Sequence, residues 1–238
     1  MEENTFRFKH FEVRHGESSM KVGVDAVLLG SWAGIEAKKI LEVGTGCGVI
    51  SLVLAQRFPD AIISAIDIDS PSVDEANLNF QFSPWNDRIK AELKMFPDEI
   101  LSVGKKFDLI VSNPPYFHSG IDSPKTRREK ARHQNTLSPF TLIQHASSLL
   151  TPNGCLSMIF PFEFYEEVKK EAGLMSLKLY RECFIRDNEK RPEKRVMMEF
   201  ISDSSEEGKQ QSQHLTLFKN GEPTPEYRNL CHDLYLKF

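Results

Sequence analysis

Apolar and polar positions along the 238 residues fall into two rhythms. From Phe6 to Val13 the apolar residues Phe6, Phe8, Phe11 and Val13 are spaced by polar ones, which predicts a short strand or hairpin arm. Val24–Trp32 (VDAVLLGSW) reads as a helix. Lys39–Val43 is an apolar run of strand length that enters Gly44-Thr45-Gly46-Cys47-Gly48. Val49–Arg57 continues as an apolar helix with Ile50, Leu52, Val53 and Leu54 on its core face. The unit then repeats. Ile62–Ile66 predicts a strand closed by Asp67, Ser70 and Pro71 read as an N-cap and first-turn proline, and the helix behind them carries Val73, Ala76 and Phe80 at helical spacing. Ile89–Lys94 is a third strand. Phe107–Ser112 is a fourth, ending at Asn113-Pro114-Pro115-Tyr116. Ser138–Leu150 reads as a helix and Gly154–Phe160 as a fifth strand. Strands alternating with helices predict a parallel, doubly wound α/β sheet.

The last third changes character. Leu177–Arg186, Arg195–Ser202 and His214–Phe218 read as strands, and Thr224–Tyr235 as a closing helix. Asp203–Gln213 (DSSEEGKQQSQ) is polar with few apolar residues, which predicts a flexible hairpin loop. With no internal repeat and no interdomain linker, residues 1–238 are expected to form one domain, residues 1–35 being an N-terminal extension whose hairpin and helix pack on it.

Composition narrows the classes. Hydrophobic residues make up 40% and charged residues 27%, the balance of an ordinary globular chain. No apolar run approaches the roughly 20 residues that span a bilayer, and polar Met1–His10 lacks the apolar core of a secretory signal. Cys47, Cys155, Cys183 and Cys231 lie far apart without a CxxC pair, as expected of reduced thiols in the cytoplasm. The histidines show no metal-ligand spacing, so no metal is expected. With 30 Lys+Arg against 34 Asp+Glu the net charge is −4, which excludes binding nucleic acid by bulk charge and leaves only a local basic patch for it.

The glycine run joins a strand to a helix, where missing Cβ atoms let a ligand approach the backbone at the carboxyl end of the sheet. Asp67 follows Gly44 by 23 residues, matching the roughly 20 expected of a ribose-binding carboxylate. Two cofactor classes compete for Gly44, Gly46 and Gly48. A dinucleotide fingerprint is G-x-G-x-x-G with the helix N-terminus aimed at a pyrophosphate. Here the spacing is G-x-G-x-G and Glu42 stands two residues ahead, where a carboxylate repels a pyrophosphate but suits an ammonium. S-adenosylmethionine, a nucleoside bearing a zwitterionic amino acid and a sulfonium, fits better than NAD(P). A tight strand-to-helix turn without a ligand is the plainer alternative.

Asn113-Pro114-Pro115-Tyr116-Phe117 follows the fourth strand and is expected at the same edge. An exocyclic amine is a poor nucleophile because its lone pair is delocalised into its ring. Acceptors on its two N–H bonds, the Asn113 side-chain carbonyl and the Pro114 main-chain carbonyl held rigid by Pro115, would localise that pair and aim it. Tyr116 offers a stacking face. A rigid turn after a buried strand is the alternative.

The two motifs resemble those of class I methyltransferases that act on exocyclic or amide nitrogens. Lys21–Trp32 (KVGVDAVLLGSW), Leu41–Gly48, Asn79 with Ser83-Pro84-Trp85 and Arg88-Ile89, Asn113–Phe117, Arg191-Pro192 with Arg195-Val196, and the close Tyr235–Phe238 together resemble the bacterial tRNA1(Val) adenine-N6-methyltransferase family over nearly the whole chain. The resemblance implies a Rossmann-like, seven-stranded, mostly parallel sheet with an antiparallel last strand and helices on both faces. It also implies methylation, from S-adenosylmethionine, of the adenine 3′ of the anticodon at position 37. The alternative is an N-methyltransferase on another target: an rRNA or DNA base amine, or a glutamine amide of a protein. Many relatives carry an Asp after the third strand that contacts the cofactor adenine. Here that position falls near Met95.

On that reading the partner is tRNA, taken by a monomer without membrane or metal. Between Ile121 and His133 stand Lys125, Arg127, Arg128, Lys130 and Arg132 against Asp122 and Glu129, directly after the Asn-Pro-Pro-Tyr motif, where phosphates flanking a flipped base would pass. Arg191 and Arg195 belong to a second cluster diluted by acidic residues. Arg7, Lys9, Arg14 and Lys21 make the N-terminal arm basic. Any of these clusters alone also fits a solvated face.

Overall fold

The chain opens with two short strands, β1 (Thr5–Arg7) and β2 (Glu12–Arg14), paired antiparallel as a hairpin. Then come α1 (Val24–Trp32), β3 (Lys39–Val43), α2 (Val49–Arg57), β4 (Ile62–Asp67), α3 (Ser70–Gln81), β5 (Ile89–Leu93), the single turn α4 (Asp98–Leu101) and β6 (Phe107–Ser112). After them follow α5 (Pro139–Leu149), β7 (Leu150–Pro161), a 3-10 turn at Phe162–Phe164, α6 (Tyr165–Leu174), β8 (Leu177–Asn188), β9 (Arg195–Ser202), β10 (Gln211–Lys219), β11 (Glu222–Pro223) and α7 (Pro225–Cys231). The structure, a computed structural model, describes residues 4–18, 21–101, 104–115, 137–202 and 210–238.

Local chemistry sets the helix starts. Ser138 and Thr224 cap α5 and α7 by accepting the main-chain N–H groups of Thr141 and Tyr227, each with a proline next in line. At α3 the cap is Asp69, one residue earlier than the expected Ser70; its carboxylate takes Ser72 N at 3.0 Å. The closing helix stops at Cys231, short of the expected Tyr235. α6 was not anticipated, since its buried stripe is only Val168, Glu171 and Ala172.

Among the described residues nine strands make the main sheet, in the order β11-β10-β8-β9-β7-β6-β3-β4-β5. From β5 through β7 all neighbours are parallel, and β9 runs antiparallel between β7 and β8. The α/β class therefore holds, and the expected antiparallel last strand of the seven is β9, the seventh of the run β3–β9, entering between β7 and β8. The change is in the strand count: among the described residues the sheet is extended beyond those seven by β10, parallel to β8, and β11, antiparallel to β10. Of the flexible loop expected over 203–213, the last three residues belong to β10 instead. Gln211–Gln213 pair with Arg181–Cys183, because main-chain ladder bonds form whatever the polarity of exposed side chains. Residues 203–209 lie outside the described residues.

Strand side chains alternate between two cores, which explains the continuous apolar runs. Ile40, Leu109, Val111 and Ile159 pack with α1, α2, α3, α7 and the hairpin. Leu41, Val43, Ile110, Leu156 and Met158 pack with α4, α5 and α6. Within the first layer Arg57 closes the C-terminal end of α1, its Nη1 donating to the carbonyls of Gly30 and Ala33. A buried polar knot sits there too: Glu199 accepts from Arg181, Ser157 and Gly34, and the Arg181 guanidinium lies 4.3 Å from the Trp32 ring centroid. Among the described residues no helix is long and apolar enough to cross a membrane.

Candidate functional site

β3 and β6 are hydrogen-bonded neighbours running the same way, so the turns that follow them emerge side by side at the carboxyl edge of the sheet. Ser112, the last residue of β6, donates its hydroxyl to the carbonyl of Val43, the last residue of β3, at 2.7 Å. Gly44 and Asn113 are the next residue on each strand, so the two motifs are brought together.

The glycine turn is held from beneath. Gly44 N and Thr45 N both donate to the Ile66 carbonyl of β4, at 2.9 and 3.1 Å. The three glycines serve different purposes. At Gly44, with φ +77°, a Cβ would meet Leu137 Cδ2 at 2.8 Å, so the residue leading into α5 closes over the turn. At Gly48, the left-handed N-cap of α2, a Cβ would strike the Phe80 ring at 2.5 Å. The missing Cβ there makes room for close packing of α3. At Gly46, with φ +52°, a Cβ would meet nothing within 4 Å among the described residues, the form a ligand cradle requires.

Glu42 is fully buried. Its Oε2 accepts Thr45 Oγ1 at 2.8 Å, Ser51 N at 3.1 Å, and the Ser51 hydroxyl. Ser51 N is a first-turn N–H of α2. Gly48 has no side chain to cap it, so Glu42 does so from the preceding strand, at the positive end of the helix dipole. Burial pushes the Glu42 carboxyl up to about 7, against the hydrogen bonds from Ser51 and Thr45 that lower it. Its other oxygen, Oε1, has no hydrogen-bond partner among the described residues. An acceptor buried in this way is costly, and a cationic ligand group is what would satisfy it. This acceptor therefore fits the ammonium of an amino-acid-bearing cofactor.

Asp67 ends β4 beside this turn. Each carboxylate oxygen takes one main-chain N–H: Gly46 on Oδ2 at 2.9 Å and Asp69 on Oδ1 at 3.1 Å. A carboxylate has about four acceptor positions, so one remains on each oxygen for a pair of hydroxyls. The sequence suggested only the ribose role; that Asp67 also shapes the glycine turn is a tertiary fact. Burial pushes the Cys47 thiol in the same turn up to about 12, so it stays protonated near neutral pH.

In the second turn Asn113 is half-buried, Pro114 buried and Pro115 exposed. Tyr116, Lys125, Arg127, Arg128, Lys130 and Arg132 lie outside the described residues. Met95 follows β5, and its main-chain N–H donates to Glu99 Oε2 at 2.6 Å.

Of the second basic cluster, Arg191 is exposed in the turn between β8 and β9. Arg195 is not available as a phosphate contact. Its side chain is only 15% exposed, pairs with Asp25 at 2.9 Å and also binds Asp187. In the N-terminal arm, Arg7 pairs with Glu12, and Lys9 Nζ donates to the carbonyls of His232 and Phe238. The Arg14 guanidinium stands 5.2 Å from the centroid of the exposed Phe82 ring. Sequence reasoning gave no role to Thr45, Ser51, Ser112 or Leu137. A polar residue closing an apolar strand was the available signal for Ser112.

Residues 23–171 match the family model described as methyltransferase small domain. A protein from Parabacteroides distasonis named tRNA1(Val) (adenine(37)-N6)-methyltransferase is 40% identical over 234 residues, 98% of either chain. One of the same name from Trichodesmium erythraeum is 39% identical over 239 residues, 99% of either chain. Among solved structures, a predicted O-methyltransferase from Agrobacterium tumefaciens superimposes with a TM-score of 0.66 at 18% identity, covering 88% of this chain and 96% of its own. A methyltransferase from Pyrococcus furiosus gives 0.54 at 18% identity, covering 73% of this chain and 79% of its own. At that identity these structures speak for the fold alone.

Proposed function

The chain belongs to the methyltransferase small domain family, beside the tRNA1(Val) (adenine(37)-N6)-methyltransferases, and from that premise we propose that it methylates the N6 amine of adenine 37 in tRNA1(Val). The observation that carries the reading is the junction of the Gly44 and Asn113 turns across neighbouring parallel strands.

S-adenosylmethionine supplies an electrophilic methyl group on a positively charged sulfur. Glu42 Oε1 is the acceptor for its ammonium, Gly46 gives the open backbone for close approach, and Asp67 takes the ribose hydroxyls. Gly44 and Gly48 shape the turn. The Asn113 side-chain carbonyl and the Pro114 main-chain carbonyl accept the two N–H bonds of the target amine, Pro115 fixes the second of them, and Tyr116 stacks on the base. The amine needs no strong base beforehand, since its proton becomes acidic only after it is methylated. Lys125, Arg127, Arg128, Lys130, Arg132 and the exposed Arg191 are assigned to RNA phosphates. The place of action is the cytoplasm, in keeping with four buried, free cysteines.

The test is transfer of labelled methyl from S-adenosylmethionine to total tRNA from cells lacking this modification, followed by nucleoside mass spectrometry. Label is expected in N6-methyladenosine of the anticodon loop. Label in rRNA, in DNA or in protein glutamine, with none in tRNA, would overturn the assignment.

A further inference from the structure

Asn79 lies near the end of α3, 3% exposed, and its amide is engaged on two segments far apart in the chain. Oδ1 accepts the main-chain N–H of Arg14 at 2.9 Å, and Nδ2 donates to the Arg14 carbonyl at 2.8 Å. The side chain thus pairs with Arg14 as a neighbouring strand would, through both N–H and C=O. The second Nδ2 proton goes to the carbonyl of Cys47 in the glycine turn, at 2.8 Å. One buried amide therefore joins the end of the N-terminal hairpin to the cofactor turn.

Glu75, one helical turn earlier on the same face, completes the attachment. Its Oε1 accepts the N–H groups of Gly16 and Glu17 at 2.7 and 3.0 Å, and its Oε2 that of Ser18 at 2.8 Å. Three successive N–H groups converging on one anion form the nest that elsewhere binds phosphate; here the protein's own carboxylate fills it. Burial pushes the Glu75 carboxyl up, but the hydrogen bond from the Ser18 side chain and those from the Glu17, Ser18 and Gly16 N–H groups outweigh that and leave it below the ordinary value.

The extension has a second anchor on the far side of the site. Asp25, in the first turn of α1, pairs with Arg195 at the start of β9, opposite Pro161 at the carboxyl end of β7. In the sheet, β3 and β6 lie between β4, which α3 covers, and the β7–β9 pair. The two anchors therefore flank both functional turns.

We infer that Asn79 and Glu75 are positioning residues for the cofactor site: they latch residues 14–18 to the Cys47 carbonyl, so that the N-terminal extension holds the glycine turn in its binding form. Neither side chain need touch the cofactor. The inference rests on the proposed cofactor assignment, and the experiment separates the two.

S-adenosylhomocysteine binding is measured by calorimetry on the full chain, with amide exchange of residues 14–18 followed in the absence of ligand. If the wild type does not bind the nucleoside, the cofactor assignment itself fails. If it binds, Asn79→Ala is expected to weaken binding roughly tenfold or more, with faster exchange at Arg14 and an unchanged Michaelis constant for RNA. Glu75→Gln removes the anion without cutting the link to Cys47 and serves if Asn79→Ala does not fold. It is expected to speed exchange at Gly16–Ser18 and to weaken nucleoside binding several-fold. A folded variant with faster exchange and wild-type affinity would overturn the inference, as would wild-type exchange in both variants.

Discussion

The hydroxyl of Ser112 donates to the carbonyl of Val43 at 2.7 Å, tying the last residue of β6 to the last residue of β3. Both lie immediately before the turns that carry the candidate chemistry, so this bond fixes how far apart the two turns stand. Ser112 is fully buried. Ser112→Ala is expected to cost about 1–2 kcal/mol of stability, as for loss of a buried hydrogen bond. It should also lower kcat more than it raises either Michaelis constant, because both half-sites survive and only their spacing relaxes. Thermal unfolding with steady-state kinetics checks this; equal loss in every parameter would show a purely structural role.

Glu42 predicts a pH dependence. Burial raises its pKa in the fold to about 7 from 4.5. The folded state thus prefers the protonated carboxyl, so its stabilising contribution is present below about pH 4.5 and is lost as pH rises through 7. Glu42→Gln should remove that slope and leave the ligand-free chain more stable than wild type at pH 8. The same variant should bind S-adenosylmethionine more weakly, because the cofactor ammonium loses its carboxylate. Unfolding curves at pH 5 and pH 8, with calorimetry at pH 8, test both halves; tighter binding by the variant would remove Glu42 from the site.

Asn113 and Asp67 should separate chemistry from binding. Asn113→Ala is expected to abolish turnover and leave cofactor affinity near normal. Asp67→Ala is expected to weaken the cofactor by about 1.5–3 kcal/mol, the worth of charge-assisted contacts. Because Asp67 also accepts Gly46 N, its loss should loosen the turn itself, visible as faster exchange of the Gly46 amide. A large affinity loss in the Asn113 variant, or none in the Asp67 variant, would exchange or void these roles.

Substrate grip should be separable from cofactor grip. Reversing Arg127 and Arg128 to Glu is expected to raise the Michaelis constant for tRNA and to reduce its salt dependence, with cofactor affinity unchanged. Titration at two salt concentrations is the measurement, and unchanged RNA kinetics would return the segment to a solvated face.

The knot around Glu199 predicts a cost without chemistry. Arg181→Ala leaves a 1%-exposed carboxylate with its guanidinium gone. Breaking such a buried pair is expected to cost about 3–5 kcal/mol, read as a fall in the unfolding midpoint. Cofactor affinity per folded molecule should be unchanged.

Much of this molecule was legible along the chain. The strands Lys39–Val43 and Phe107–Ser112 matched their expected limits, and so did the helices Val24–Trp32 and Val49–Arg57. Apolar periodicity, glycine at positive φ and proline after a capping residue act within a few residues, so a linear reading captures them. α6 was missed because two apolar residues and a buried Glu make too narrow a stripe to mark a helix.

The local elements, the glycine turn after one apolar strand and the Asn-Pro-Pro turn after another, were determined by the sequence alone, because their causes are short-range sterics and hydrophobic patterning. Which strand lies beside which was decided only in three dimensions. β3 and β6 are neighbours although three strand–helix connections separate them, and β9 enters between β7 and β8. Roles that depend on a facing partner were decided there too. Gly48 makes room for Phe80, Glu42 caps α2, and Arg195 is spent on Asp25 and Asp187. A charge or a missing Cβ has no fixed meaning until packing sets what stands opposite it, and that depends on residues far away in the chain.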